Sequence, residues 1–332
     1  MYISGIGAYL PEKRLLAAHA AASGEYEPDY FERDGYLSVS VEDELFPAEM
    51  ALQAANAALG QAQVASADLS KVIFTAIHRH GHSRFWSPAS HMQKELAAGR
   101  AIPFNLTQGC NAALIGISLA RESLTAGSTD AVLVSGADRF SGSGFNRWNS
   151  DYGLIFGDAA VSVVVSNRPG FARIVHLATQ SVPQLEELHR MAQPEVETAA
   201  SLQTDFYVRS NKKRFLQNHG VEGFKQPILQ ALNRLRSDLI SETDILAHPA
   251  DWMIPPFVGN ANRHATYDDR FGDLAHNNAW SFGREIGHTG TGDGLLGLWH
   301  LQQQGLIQAG SRVLIVSAGA GFTCSVMLLD IL

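Results

Sequence analysis

A layered α/β fold is what the sequence predicts, on three observations. Short, β-branched and almost uninterrupted apolar runs recur along the chain, as expected of strands covered on both faces. Stretches with helical periodicity lie between them. One strand pattern in the first half of the chain is repeated near its end.

The elements follow in order. Met1-Tyr2-Ile3-Ser4-Gly5 reads as the start of a strand and lacks the basic-then-apolar layout of an export signal. Residues 72–77, 101–106, 131–135, 160–165 and 313–317 read as strands. Residues 48–59, 90–98, 112–126 and 224–239 read as helices. Residues 180–218 are mixed and polar, and are expected to form an insertion or lid with helical pieces. The repeat is between Asp130-Ala131-Val132-Leu133-Val134-Ser135-Gly136-Ala137 and Ser311-Arg312-Val313-Leu314-Ile315-Val316-Ser317-Ala318. Each follows a helix and a small-residue turn, and the final apolar segment, 325–332, echoes 160–165. Two halves of similar build, 1–168 and 169–332, would explain this, meeting near Asn167-Arg168-Pro169-Gly170.

Bulk composition narrows the class. The 332 residues are 45% hydrophobic and 17% charged, enough to bury a substantial core. Mean hydropathy is −0.05 and no long uncharged apolar run is present, which argues against a membrane-spanning helix. A net charge of −8 gives no general attraction to nucleic acid or an anionic membrane. The two cysteines, Cys110 and Cys324, make no secreted-type disulfide framework. A reducing cytoplasm is the expected setting.

Cys110 stands where chemistry is favoured. Thr107-Gln108-Gly109-Cys110-Asn111 joins the strand at 101–106 to a helix that is apolar nearly all round and therefore central. A sharp strand-to-helix turn would put the thiol at the helix N-terminus, where free N–H groups and the dipole favour a thiolate. The same position offers a backbone N–H to a developing oxyanion, and Gly109 permits the tight turn. A small residue packed beneath the helix is the competing reading. Cys324, in the last strand region, is expected to pack in the core.

Four motifs in order resemble the β-ketoacyl-acyl-carrier-protein synthase III family of the thiolase superfamily. They are Ile3-Ser4-Gly5-Ile6-Gly7-Ala8-Tyr9-Leu10-Pro11, the elbow from Thr107 to Ala113, Ile155-Phe156-Gly157-Asp158-Ala159-Ala160, and the closing turn Ser317-Ala318-Gly319-Ala320-Gly321-Phe322. The resemblance implies a thiolase fold of two similar βαβαβαββ halves in five α-β-α-β-α layers, usually a homodimer. The first half would carry the nucleophile Cys110. The second would carry its partners and the glycine-rich turn, whose Ala320 N–H would join that of Cys110 in the oxyanion hole.

The pattern breaks at the partners. The family's histidine position falls near Pro256 or Phe257, so that histidine is missing, and the family's asparagine is replaced by His288 in Ile286-Gly287-His288-Thr289. Without both donors the enolate of a decarboxylating malonyl unit is less stabilised. A histidine there can still act as base to Cys110, or activate an incoming hydroxyl or amine. Asp293 follows, able either to cap the next helix or to orient the imidazole. Cys110, His288 and Asp293 are the expected triad. The set resembles a subgroup of antibiotic and polyketide biosynthesis whose members move an acyl group to a hydroxyl or another carrier. Acyl transfer is therefore expected, with starter-unit Claisen condensation as the alternative.

Other residues are placed by the resemblance. His189 matches a second histidine carried by some of these proteins, against the reading of a solvated helix residue. His78, His80 and His82 share one face of an extended segment, but no nearby Cys or Asp completes a zinc set, so no metal is expected. That segment would wall the substrate pocket, with Phe85 and Trp86 as apolar lining and Asn260 and Asn262 on the opposite loop. Coenzyme A or an acyl carrier protein would be the donor and a small molecule or carrier the acceptor, with no bound cofactor. Tyr30-Phe31-Glu32-Arg33 keeps the aromatics of the family's adenine clamp, Arg263 lies where a basic residue is expected near the pantetheine channel, and Lys212-Lys213-Arg214 could meet an acidic carrier or form only a solvated face.

Overall fold

The structure is a computed structural model and describes residues 1–83, 85–125, 131–141, 145–190 and 208–332. In the first half the strands are β1 (Tyr2–Tyr9), β2 (Arg14–Leu16), β3 (Ser38–Ser40), β4 (Leu69–Thr75), β5 (Ile102–Leu106), β6 (Ala131–Asp138) and β7 (Ala159–Ser166). The helices among them are α1 (Ala17–Ala22), α2 (Pro28–Asp34), α3 (Pro47–Ala62), α4 (Pro88–Glu95) and α5 (Ala112–Thr125). The second half contains β8 (Ala172–Ser181), β9 (Ala250–Ile254), β10 (Ala275–Asn278), β11 (Arg312–Gly319) and β12 (Thr323–Ile331). Its helices are α6 (Val208–Glu242), α7 (Asn260–Arg263), α8 (Asp269–Phe271), α9 (Trp280–Ile286) and α10 (Asp293–Gln303). Every strand and helix expected above is present, with ends displaced by a few residues, except that the helix expected at 224–239 extends back to Val208 as α6. Of the expected lid, 191–207 lies outside the described residues, as does the turn expected at 126–128. What is described of it is the end of β8, a 3₁₀ segment (Pro183–Leu188) and the start of α6, which is broken at Gly220 (φ 71°, ψ 172°).

Ten strands form one sheet in the order β10-β9-β11-β12-β8-β1-β7-β6-β4-β5. Read outward from the centre, the two halves repeat. β1 and β8 each pair antiparallel with the next strand, that strand pairs antiparallel with the third, and the outer two join in parallel. The repeat read from the sequence is thus β6 with β11 and β7 with β12. The halves are stitched where β1 meets β8, Tyr2 opposite Arg173 and Ile3 opposite Ala172.

Packing makes five layers. Helices α3 and α4 cover the outer face of β1, β4, β5, β6 and β7, and α6 covers β8 and β12. Between the two half-sheets lie α5 and α10. The first packs on β4, β6 and β7 and reaches β12; the second packs on β9 and β11 and reaches β1 and β7. Burial on both sides explains why α5 is apolar nearly all round: Ala112, Ala113, Leu114, Ile117, Ala120 and Leu124 are all buried. Likewise β6 and β7 are buried throughout, which is why their sequences do not alternate. Among the described residues, no helix is long and apolar enough to cross a membrane.

Candidate active site

The paired central helices position the site. α5 begins just after Cys110, with Ala112 N–H donating to the Gly109 carbonyl at 3.1 Å and Ile115 N–H to that of Asn111 at 3.2 Å. Gly109 is in the left-handed region (φ 55°), and a Cβ there would lie 2.4 Å from the Ala320 nitrogen. The turn is therefore pressed against the closing loop of the other half. Asn111 fastens the contact, its amide donating to Thr323 Oγ1 at 3.0 Å and Ser325 Oγ at 2.8 Å on β12.

His288 comes from the turn between α9 and α10. Its backbone is clamped by the Ile155-Phe156-Gly157 segment: His288 N–H donates to the Ile155 carbonyl at 2.8 Å, and Gly157 N–H to the His288 carbonyl at 2.9 Å. A Cβ on Gly157 would sit 1.8 Å from the Ile286 carbonyl oxygen, so the close approach needs glycine. The imidazole joins both halves. Its Nε2 lies 3.0 Å from Cys110 Sγ and its Nδ1 2.6 Å from Asp293 Oδ2. Asp293 is the first residue of α10, but the cap is Gly292 and makes no side-chain cap bond, so Asp293 orients the imidazole and does not cap the helix. Its Oδ1 accepts from the N–H and hydroxyl of Thr289, both at 2.8 Å, and its Oδ2 also accepts from Phe257 N–H at 2.8 Å. Burial works against the His288 cation. The Asp293 carboxylate and the Cys110 sulfur outweigh it and hold the imidazole pKa well above its usual value.

Asp138, at the end of β6, supports the same turn from below. Buried completely, it accepts from the N–H groups of Ile77 and His78, both at 2.8 Å, and of Thr291 at 3.2 Å. Burial raises its pKa to about 6, against those donors.

Cys110, His288 and Ala320 open into a cavity of about 380 Å³. Phe140, Phe145 and Phe156 form one wall, their ring centroids 4.8–5.4 Å apart, with the His78 ring against the first two. His189, Asp151, Thr107 and Gln108 add polar lining. Burial, and then the Lys212 ammonium, push the His189 pKa down to about 4, so its ring is neutral near pH 7. Leu154 also borders a second cavity of about 410 Å³, lined by Tyr152, Lys212, Phe224 and Asn262 among others.

Several expectations are corrected. Phe85 is fully exposed and does not line the reactive cavity. Trp86 stays outside it too, stacked among the rings of His80, His82 and His91. A one-residue change in the aim of an extended loop is enough to turn these side chains outward. Asn262 lines the second cavity and not the first, while Asn260 accepts a bond from Arg263 beneath α7. Arg263 is buried against Asp268 and the Trp280 ring, and Lys212 is turned inward on Asp151, away from any solvated face. Tyr30 is stacked by Arg33 at 4.3 Å and Arg209 at 4.9 Å. Among the described residues, no cluster of His, Cys, Asp or Glu could hold a metal. The Phe257 N–H, Thr289, Asp138 and the phenylalanine wall were not singled out in the sequence. An acid closing an apolar strand could have flagged Asp138; a backbone N–H has no sequence signal.

Two half-sheets around paired helices, with a cysteine at the mouth of one and a histidine–aspartate pair at the mouth of the other, define a thiolase-fold enzyme. The comparisons agree. The chain belongs to the 3-oxoacyl-[acyl-carrier-protein (ACP)] synthase III family: that family's profile matches residues 104–183 and its C-terminal counterpart residues 241–331, together just over half of the chain. A β-ketoacyl-[acyl-carrier-protein] synthase III of Chlamydia muridarum is 26% identical, over 99% of this chain and 98% of that protein. A solved structure described as ChlB3, an acyltransferase, superposes with a TM-score of 0.90 at 26% identity, over 99% of this chain and 97% of the other. The priming β-ketosynthase of the R1128 polyketide pathway shares the fold, with a TM-score of 0.77 at 19% identity, over 98% and 95% of the two chains.

Proposed function

We propose that this enzyme moves an acyl group from a coenzyme A or carrier-protein thioester to a hydroxyl, amine or carrier thiol, through a thioester on Cys110. The observation that carries the proposal is the single imidazole bonded to Cys110 Sγ and Asp293 Oδ2 together. In the first half-reaction the Cys110 sulfur attacks the donor carbonyl as its proton passes to His288 Nε2. The tetrahedral oxyanion takes the N–H groups of Cys110 and Ala320. It collapses with cleavage of the donor C–S bond, and the donor thiol leaves with the proton from His288. In the second, His288 takes the acceptor's proton as the acceptor attacks, and the Cys110 sulfur leaves. Asp293 holds the tautomer and balances the cation throughout. No bound cofactor is needed. The working unit is a cytoplasmic homodimer, and the exposed edge strand β5 is its joining face.

Decarboxylative condensation is the second reading, and the names of the relatives favour it. The Chlamydia muridarum protein is named a β-ketoacyl synthase, and the R1128 protein a priming ketosynthase. Against it stands Phe257 in the segment where the family's histidine is expected, which removes one enolate donor. The test is intact-mass spectrometry with acetyl-, butyryl- and benzoyl-coenzyme A and the matching acyl carrier proteins. An adduct absent from Cys110→Ala supports either reading, and no adduct from any donor sinks both. The loaded enzyme is then given malonyl carrier protein: carbon dioxide and a β-keto product would establish condensation and overturn simple transfer.

A further inference from the structure

The reactive cavity carries polar equipment that the triad mechanism leaves unused. Asp151 and Lys212 form a bidentate ion pair, Nζ lying 2.6 Å from each carboxylate oxygen, with side chains only 5% and 16% exposed. The pair stands between the two cavities, Asp151 lining the reactive one and Lys212 the other. Burying two charges costs free energy that their attraction does not fully return. Beside them His189 lines the reactive cavity, its main chain held by the Asn211 amide donating to its carbonyl at 3.3 Å. No described residue bonds to its ring nitrogens. The imidazole is neutral beside the Lys212 cation, has no described partner for its donor and acceptor, and lies in the wall of the cavity onto which Cys110 opens. Phenylalanine rings, Leu154, Ile77 and Val208 supply the apolar wall, with His78, Gln108 and Thr107 near the nucleophile.

We propose that His189 is a specificity-determining residue that selects acyl groups bearing a hydroxyl or amino substituent, by hydrogen-bonding that substituent inside the cavity. The proposal rests on acyl loading of Cys110 as argued above and adds the class of acyl group. An unsubstituted acyl chain would cover the imidazole with hydrocarbon and leave its donor and acceptor unsatisfied, so the site discriminates against it. The Asp151–Lys212 pair serves as the positioning element. It ties the loop before Phe156 to α6 and sets the charge beside the ring, which keeps the ring neutral and able to both donate and accept.

The experiment loads the full-length enzyme with N-acetylcysteamine thioesters in matched pairs, each acyl group with and without one hydroxyl or amino substituent at successive positions. Rates are read by intact mass. Wild type should load at least one substituted member about tenfold faster than its plain partner. His189→Phe should abolish that preference by slowing the substituted member and speeding the plain one, and His189→Gln, which keeps a donor and an acceptor, should retain most of it. Lys212→Met should let the ring protonate at higher pH and move the acid limb of the preference upward. Loading without preference in wild type, or equal losses for both partners in His189→Phe, would overturn the proposal while leaving acyl transfer standing. Loading by no member, with the carrier-protein and coenzyme A donors also inactive, would overturn both.

Discussion

Phe257 donates its backbone N–H to Asp293 at 2.8 Å, from the segment where the family's histidine is expected. The segment keeps a place beside the proposed triad but serves it differently, by holding the acid behind His288. Thr289 does the same from the other side with two bonds to Oδ1. Asp293 is therefore held by donors from both of its flanks, and its only side-chain cation partner among the described residues is the imidazole.

Asp293→Asn should lower acyl transfer by about 10²–10⁴-fold with the fold intact, because the imidazole loses its tautomer and its counter-charge. The pH profile gives the sharper reading. Burial alone would pull the His288 pKa down, and the Asp293 carboxylate is the first of the groups that push it up. Without it the imidazolium loses its proton at lower pH, so the neutral base is available sooner and the acid limb of Cys110 loading shifts down. The stability that a raised histidine pKa confers is present below about pH 6.5 and lost as pH rises through the folded value. The variant should lack that slope in denaturant titrations. An unmoved acid limb would remove Asp293 from the triad.

Gly109→Ala should abolish loading of Cys110 while His288 and Asp293 remain in place. The new Cβ would meet the Ala320 backbone at 2.4–2.5 Å, at a φ that alanine adopts only with strain. The closing loop would have to retreat, taking the second oxyanion donor with it. Loading assays with thermal unfolding check both parts: a fall of at least about a hundredfold in rate, with a loss of about 1–3 kcal/mol in stability.

Asp138→Asn separates support from chemistry. An amide oxygen can accept from Ile77 and His78 as Oδ1 does now, but the amide nitrogen then faces the Thr291 N–H. One bond beneath the catalytic turn becomes a clash of donors, costing about 1–3 kcal/mol. The wild-type carboxyl, with its pKa raised to about 6, holds a proton in the folded state that the unfolded chain has released, so it makes wild type less stable as pH rises toward 6. The variant should be the less stable protein at pH 4.5, and the gap should narrow by roughly 2 kcal/mol at pH 7. A constant gap would show that Asp138 does not titrate in this range.

Ile102→Glu should convert the proposed dimer to a monomer. β5 ends the sheet, and Ile102, 65% exposed, presents an apolar side chain on that edge. Light scattering should give twice the chain mass for wild type and once for the variant; a monomeric wild type would refute the proposed assembly.

What the sequence made legible follows the physics of each element. β6, β7 and β11 announce themselves because strands buried on both faces must be apolar throughout. Cys110 was legible as a thiol at a helix mouth, and His288 with Asp293 because a short turn brings the histidine back to the acid that opens α10. The side chains of Phe85 and Trp86 were misplaced because the aim of an extended loop depends on what packs beneath it. Lys212 was read within a charge run, yet Asp151, its partner, lies 61 residues away. Such pairings are written in the tertiary fold. So is the role of Phe257, which needs only a main-chain N–H that any residue but proline could supply.

The stitching of the two half-sheets carries a consequence for the chain as it is made. The nucleophile and its base are 178 residues apart and come from opposite halves. At roughly 5–20 residues per second, the thiol leaves the ribosome on the order of ten to thirty seconds before its imidazole exists. The closing loop against Gly109 comes later still. Until then Cys110 has no imidazole beside it, so the proposed acyl loading must wait for the last two strands.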